Sequence, residues 1–387
     1  MKKYLLASLV AGVFASSAQA GITIPAGEWT VDVNGNVNAF YTNTTATGKN
    51  PTAPSNTVGT GLLPAQFGIG GKTRQNDLDI AWQFSFFTGT STGTNKANAM
   101  NSINVRQAYL TFGDKSWGSI KLGRDLGVFG SDAISNDMTL LGVGPIAGGN
   151  GGNATYGRIG SGYIYADWVG QIAYTTPSWN GLQATVALVE PLNGQNTTQQ
   201  DSQLGYQGKV TYDLDVAGVK THSWVSGIKQ DRKGGAGQDY SSEGFDVGTK
   251  LSAYDVDLVG YYYNGEGLSG VNPASSTTNL NGLGGIGFLM NGGVKTDDEG
   301  GYVQATYKLP VVGTKVGATW GESSASYNGA DFTNKAWTVG AYHPLTKSLN
   351  LVAEYSRTHQ TSTGNATAAN NGSEYVNTTS VGAILFF

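Results

Sequence analysis

Asp77-Leu78-Asp79-Ile80-Ala81-Trp82-Gln83-Phe84-Ser85-Phe86 separates into two interleaved sets, with Leu78, Ile80, Trp82, Phe84 and Phe86 on one side and Asp77, Asp79, Gln83 and Ser85 on the other. Successive side chains of a β-strand point to opposite faces, so a period of two describes a strand with one apolar and one wet face. The pattern recurs. Trp29, Val31, Val33, Val37, Ala39 and Tyr41 alternate with Asp32, Asn34, Asn36 and Asn38, and Leu204, Tyr206, Val210, Tyr212 and Leu214 alternate with Gln207, Lys209, Thr211 and Asp213. Beyond residue 20 no apolar run approaches the roughly 18 residues that identify a membrane-spanning helix. The chain reads as all-β.

A soluble sandwich also alternates, and the connections decide between the two architectures. Compact links at 73–76, 114–116, 177–181, 213–218, 253–255, 310–313 and 344–348 take turns with long stretches rich in Gly, Asn, Ser and Thr near 42–64, 88–102, 125–162, 190–203, 229–242, 264–298, 321–335 and 358–374. On this scheme the strands number sixteen. Even parity, short turns at one rim and long loops at the other describe a transmembrane antiparallel β-barrel, whose closure removes the strand edges that lipid does not tolerate. Val381, Ala383, Leu385 and Phe387 alternate as a strand that closes the ring against the first would. Trp29, Tyr41, Trp117, Trp168, Tyr174, Trp337, Tyr355 and Tyr375 fall at strand ends, where aromatic girdles meet the two water interfaces.

Lys2 and Lys3, the apolar stretch Tyr4 to Phe14 and the small-residue close Ala18-Gln19-Ala20 have the layout of a secretory signal peptide, 1–20, cleaved before Gly21. Residues 21–387 then form one barrel domain, because no charge run or Pro-rich linker divides them. Losing Lys2 and Lys3 lowers the 23 basic residues to 21 against 27 acids, a formal charge of −6 that argues against nucleic acid as a partner. Without cysteine, stability has to come from a large hydrogen-bonded framework.

Val105-Arg106-Gln107-Ala108-Tyr109, followed by Gly118-Ser119-Ile120-Lys121-Leu122-Gly123-Arg124, resembles the fourth and fifth strands of general bacterial porins, the neisserial and β-proteobacterial branch above all. Tyr174-Thr175-Thr176-Pro177-Ser178-Trp179-Asn180-Gly181-Leu182 is similar to that branch's turn after the sixth strand, and Val381 to Phe387 to its closing strand. The resemblance implies a sixteen-stranded homotrimer in the Gram-negative outer membrane, in contact with lipid and lipopolysaccharide, passing ions and small hydrophilic solutes by diffusion without cofactor or catalysis. It also implies a third extracellular loop, 125–162, folded into the barrel to narrow the pore. Asp132 and Asp137 match that loop's acidic segment, while Leu140-Leu141-Gly142-Val143-Gly144 lacks the second acid that relatives often carry. Arg106 matches a wall arginine, expected to point inward because an arginine facing lipid at mid-depth costs about 2–4 kcal/mol. Arg124 ends the matching fifth strand, and Arg158 in Gly157-Arg158-Ile159-Gly160 resembles another wall arginine. A further family arginine falls at Gln66, leaving Lys72 or Arg74 to substitute. Two acids against these arginines imply weak anion preference.

Gln66-Phe67-Gly68-Ile69-Gly70-Gly71-Lys72-Thr73 imitates a phosphate-binding loop but lacks its first glycine and the helix that must follow. His222, His343 and His359 show no metal-ligand spacing and read as surface or rim residues, and Ser161, within Gly160-Ser161-Gly162, lacks the Gly-x-Ser-x-Gly spacing of a nucleophile elbow. Two other readings stay open: an outer-membrane hydrolase, needing only one serine and one histidine brought together in space, and an adhesin or receptor barrel working through its long loops.

Overall fold

The computed structural model describes residues 21–49, 51–90, 103–145, 154–191, 203–233, 239–269, 271–274 and 294–387, so the expected signal peptide lies outside the described residues. Its strands are β1 (Ile22–Ala26), β2 (Trp29–Gly48), β3 (Thr52–Gly59), β4 (Ala65–Gln75), β5 (Leu78–Thr88), β6 (Asn104–Asp114), β7 (Gly118–Leu126), β8 (Trp168–Thr175) and β9 (Leu182–Val189). They continue as β10 (Gly205–Val216), β11 (Val219–Lys233), β12 (Asp239–Ala253), β13 (Val256–Glu266), β14 (Asp297–Lys308), β15 (Lys315–Tyr327), β16 (Ala330–Pro344), β17 (Leu349–Thr363) and β18 (Gly372–Phe386).

Eighteen segments make sixteen staves. β3 and β4 follow one another along the same side of β2, against residues 40–46 and 30–36. On the other side β18 and β1 do likewise, against residues 36–48 and 29–33. Each of these pairs is one stave interrupted once. Every neighbouring pair is antiparallel, and β9 pairs with β10 to complete a closed ring. The two faces segregate as the alternation requires. Tyr206, Val210, Tyr212 and Leu214 of β10 are exposed while Gln207 between them is buried, and Val37 and Tyr41 of β2 are exposed while Asn36, Asn38 and Phe40 are buried. The exposed apolar face is the one that meets lipid.

Two-residue turns at Asn76-Asp77, Ala217-Gly218 and Tyr254-Asp255 have positive φ at both positions, the mirror-image turn whose twist matches antiparallel strands. They share a rim with the other compact links, as the sequence predicts. The opposite rim differs from expectation in three places. Instead of long loops, 42–64 holds the end of β2 and all of β3, 229–242 carries β11 to Lys233 and resumes at Asp239, and 321–335 turns on Asn328-Gly329 alone. Above the lipid both faces of a strand meet water, so the ladder continues where the apolar alternation has stopped.

Trp168 also departs from its expected place in a girdle. It is buried, donates from Nε1 to Tyr165 Oη (2.8 Å) and packs on Phe87, ring centroids 5.7 Å apart.

Candidate functional site

The connection between β7 and β8 joins the polar face of one stave to those of many others. Asp125 and Leu126 still belong to β7, so it runs from 127 to 167, with 146–153 outside the described residues, rather than over 125–162. It carries one helical turn, α1 (Ser131–Ser135), and a 3₁₀ turn at Met138–Leu141.

Side chains on four staves hold its backbone. Gln207 Oε1 of β10 accepts from the amides of Val128 and Phe129 (2.7 and 3.0 Å), and Asp246 Oδ2 of β12 from Gly130 (3.1 Å). Gln304 Oε1 of β14 accepts from Met138 (2.7 Å), and Glu354 Oε2 of β17 from Val143 and Gly144 (2.7 and 2.8 Å). Tyr342 of β16 donates to the other Glu354 oxygen (2.6 Å). On the far side the segment meets the break between β3 and β4, where Leu62 N–H donates to Gly142 C=O (2.8 Å) and Thr155 N–H to Gly61 C=O (2.9 Å). A Cβ on Gly61 would stand 2.1 Å from the Gly142 oxygen, so glycine is required for the approach.

Asp132 and Asp137, expected as facing acids, are both spoken for. Asp132 is ion-paired with Lys209 Nζ (2.7 Å) and His222 Nε2 (3.1 Å), while His222 Nδ1 contacts Asp213 Oδ1 at 2.7 Å. Burial alone would raise the Asp132 carboxyl, but Lys209 and His222 outweigh it and hold it down to about 2. A depressed carboxyl contributes stability that is whole above the unfolded value near 3.8 and is lost as pH falls through about 2. Acid melting of the folded protein should therefore show a loss between about pH 4 and 2 that Asp132→Asn flattens; an unchanged acid limb in that variant would remove the pairing from the account. Asp137 is 3% exposed and caps the 3₁₀ turn, accepting from Thr139 N–H (2.9 Å), Thr139 Oγ1 (2.8 Å) and Tyr163 Oη (2.9 Å).

Arg158 is wholly buried. Its guanidinium donates to the carbonyls of Ser161 (3.1 Å), Thr319 (3.0 Å) and Ala336 (3.2 Å), riveting the segment to β15 and β16. It is thus a peg between segment and wall rather than a charge offered by the wall. Arg124 is exposed and pairs in register with Ala108, on the side of Leu122 and Ile120 rather than that of Lys121 and Asp125. Lys72 is paired with Asp32 (3.1 Å), and Arg74 with Asp79 (2.8 Å) and Asp114 (3.0 Å), both in the half of β4 that leads to the short Asn76-Asp77 turn.

A bulge sets the direction of Arg106. The β5–β6 register passes from Ser85↔Gln107 directly to Phe86↔Val105, so Arg106 is the extra residue of a β-bulge. Val105 keeps the exposed face, while the Arg106 guanidinium lies 4.8 Å from the Phe87 ring centroid and 5.9 Å from that of Trp168, both buried rings. Next to it Gln107 Nε2 donates to Asp125 (2.9 Å), which is also the ion-pair partner of Lys121.

Sequence reasoning missed Gln207, Asp246, Gln304 and Glu354 as holders of the segment, and placed His222 on a rim. Their only sequence signal is that each occupies a polar-face position of an alternating strand, which they share with dozens of others.

A closed barrel with an apolar outer face, a polar inner face and polar-face side chains gathered on one long connection is a transmembrane channel. The chain belongs to the Gram-negative porin family, whose model matches residues 6–363, and accordingly resides in the bacterial outer membrane. Solved structures share the fold at low identity: an anion-selective porin from Comamonas acidovorans (15% identity, TM-score 0.63, 93% of this chain and 100% of that one), Salmonella typhi OmpF in complex with daunomycin (18%, 0.62, 95% and 100%) and in-vitro folded OmpT of Vibrio cholerae in its trimer form (14%, 0.53, 93% and 99%). No curated protein matches the chain.

Proposed function

We propose that segment 127–167 is folded into the lumen and narrows a diffusion channel for ions and small hydrophilic solutes, giving it a weak preference for anions. One observation carries this reading: the segment leaves β7 and is hydrogen-bonded to polar-face groups on β10, β12, β14 and β17 as well as to the β3–β4 break. Staves that far apart around a ring share a neighbour only across its interior. The charges support the sign. Asp132 and Asp125 are matched by Lys209, His222 and Lys121, Asp137 is shut inside the segment, and Arg106 has no carboxylate at ion-pair distance among the described residues.

Two unit charges about 8 Å apart interact by about 2 kcal/mol at an effective dielectric near 20, enough for one arginine to bias a passing ion. Arg106→Ser should move the zero-current potential in a salt gradient toward cations, most at low salt where screening is weakest. An unmoved potential would take Arg106 out of the eyelet. A homotrimer fits the fold.

A further inference from the structure

Lys308 ends β14 in the polar-face set of Tyr302, Gln304 and Thr306, and directly opposite it Lys315 opens β15. Like charges facing one another across a ladder repel, so such a pair is unfavourable without a counter-charge. Lys72, Lys121 and Lys209, elsewhere on that face, each have a carboxylate at ion-pair distance, whereas Lys308 and Lys315 have none among the described residues. A third lysine, Lys250 of β12, is close enough for its charge to act on Lys315, and the carboxylate that does so is Asp257. Asp257 is already engaged: it accepts from Ser252 Oγ (2.6 Å), and Lys250 Nζ lies 3.8 Å from its other oxygen.

The cluster lies between the rim of short turns and segment 127–167. Lys308 and Lys315 flank the compact link 309–314, and Lys250 is near the Ala253 end of its strand. The next polar-face residue of β15 is Gly317, where a Cβ would stand 2.8 Å from Met138 Sδ of the segment, and two residues of strand span only about 7 Å. Lys250 is the cross-strand neighbour of His222, which is itself bound to Asp132 of the segment. Lys315 Nζ lies 5.7 Å from the ring centroid of Tyr342, a ring fixed by its hydroxyl bond to Glu354. The ring steadies the ammonium group without neutralising it.

We infer that Lys250, Lys308 and Lys315 form a binding site for a small dianion, a dicarboxylate or phosphate, on the short-turn side of segment 127–167. The inference rests on the reading of the barrel as a channel with that segment in its lumen. Local charge sets the class of solute: three ammonium groups against Asp257 leave two positive charges to be matched. At equal distance each lysine attracts a dianion twice as strongly as a monoanion. An ammonium group is a compact charge with three donors, so it accepts carboxylate and phosphate oxygens alike and demands no planar partner.

The test is calorimetric titration of the purified full-length barrel in detergent, at low salt and mildly alkaline pH where phosphate carries two charges, with succinate, inorganic phosphate and acetate as separate titrants. Succinate and phosphate should each bind about tenfold more tightly than acetate, and the tighter of the two identifies the source of the dianion. Lys315→Gln should weaken succinate about fivefold, and the Lys308→Gln, Lys315→Gln double variant should lose the preference over acetate. Asp257→Asn keeps an oxygen for Ser252 while removing the opposing charge, and should tighten succinate about threefold, a gain that damage to the fold would not produce. Acetate binding as tightly as succinate, undiminished succinate affinity in the double variant, or weaker binding in Asp257→Asn would each overturn the site. Calorimetry does not read ion preference, so the two readings fail separately: an anion-preferring pore that binds no succinate removes the site alone, and a pore without anion preference leaves the measured affinities standing.

Discussion

Arginine in place of Val210 should destabilise the folded barrel by about 2–4 kcal/mol, whereas arginine at the adjacent Thr211 should be tolerated within about 0.5 kcal/mol. Val210 is 40% exposed on the apolar face and lies six residues above the Val216 end of β10, near the middle of the apolar band; Thr211 is on the polar face opposite Trp224. The cost is that of a guanidinium in hydrocarbon, and a shift of one residue removes it because the faces alternate. Urea unfolding from lipid vesicles reads the difference. Equal midpoints for the two variants would mean that β10 does not present Val210 to lipid.

On the proposed placement in the lumen, Glu354→Ala should release segment 127–167 while leaving the barrel intact. The carboxylate accepts the amides of Val143 and Gly144 and the hydroxyl of Tyr342, and all three donors are buried. Leaving each without an acceptor costs about 1–3 kcal/mol. The backbone of residue 354 would remain paired with Gly340 and Ser380, so the ladder survives. Single-channel recordings should show larger or fluctuating conductance with the melting temperature little changed, and Glu354→Gln, which keeps one carbonyl oxygen for these donors, should fall between the two. A steady, unmodified current from Glu354→Ala would show that this clamp does not position the segment.

Much of the architecture is legible in the sequence because lipid imposes it. Leu78 to Phe86 must alternate, and the turns at 73–76, 213–218 and 253–255 fall where the alternation pauses. What the sequence conceals follows from water. Above the lipid the outer face no longer needs apolar residues, so β3 and the upper halves of β11, β12, β15 and β16 read as loop. Asn328-Gly329, a pair that favours a two-residue hairpin turn, was available to correct one of them.

The site is less legible for a different reason. Arg106 is recognisable from its motif, but its direction depends on a bulge that only the partner strand reveals. Arg158, Asp132 and Asp137 are chemically what the motif suggests, yet whether a charge stands free or is consumed by Lys209, by Tyr163 or by the carbonyls of Thr319 and Ala336 depends on residues far away in the sequence. Burial of those pairs is a property of three-dimensional closure.

The break between β3 and β4 has a consequence for the order of assembly. Segment 127–167 is synthesised after the first staves and before the last, yet its sockets are split between them: Gly61 and Leu62 near the beginning, Gln207 and Asp246 in the middle, Gln304 and Glu354 toward the end. It cannot be seated until β17 stands in place, and by then β18 needs only to zip along β2 to seal the ring. On the proposed placement of 127–167 in the lumen, the constriction depends at once on groups from the beginning, the middle and the end of the chain.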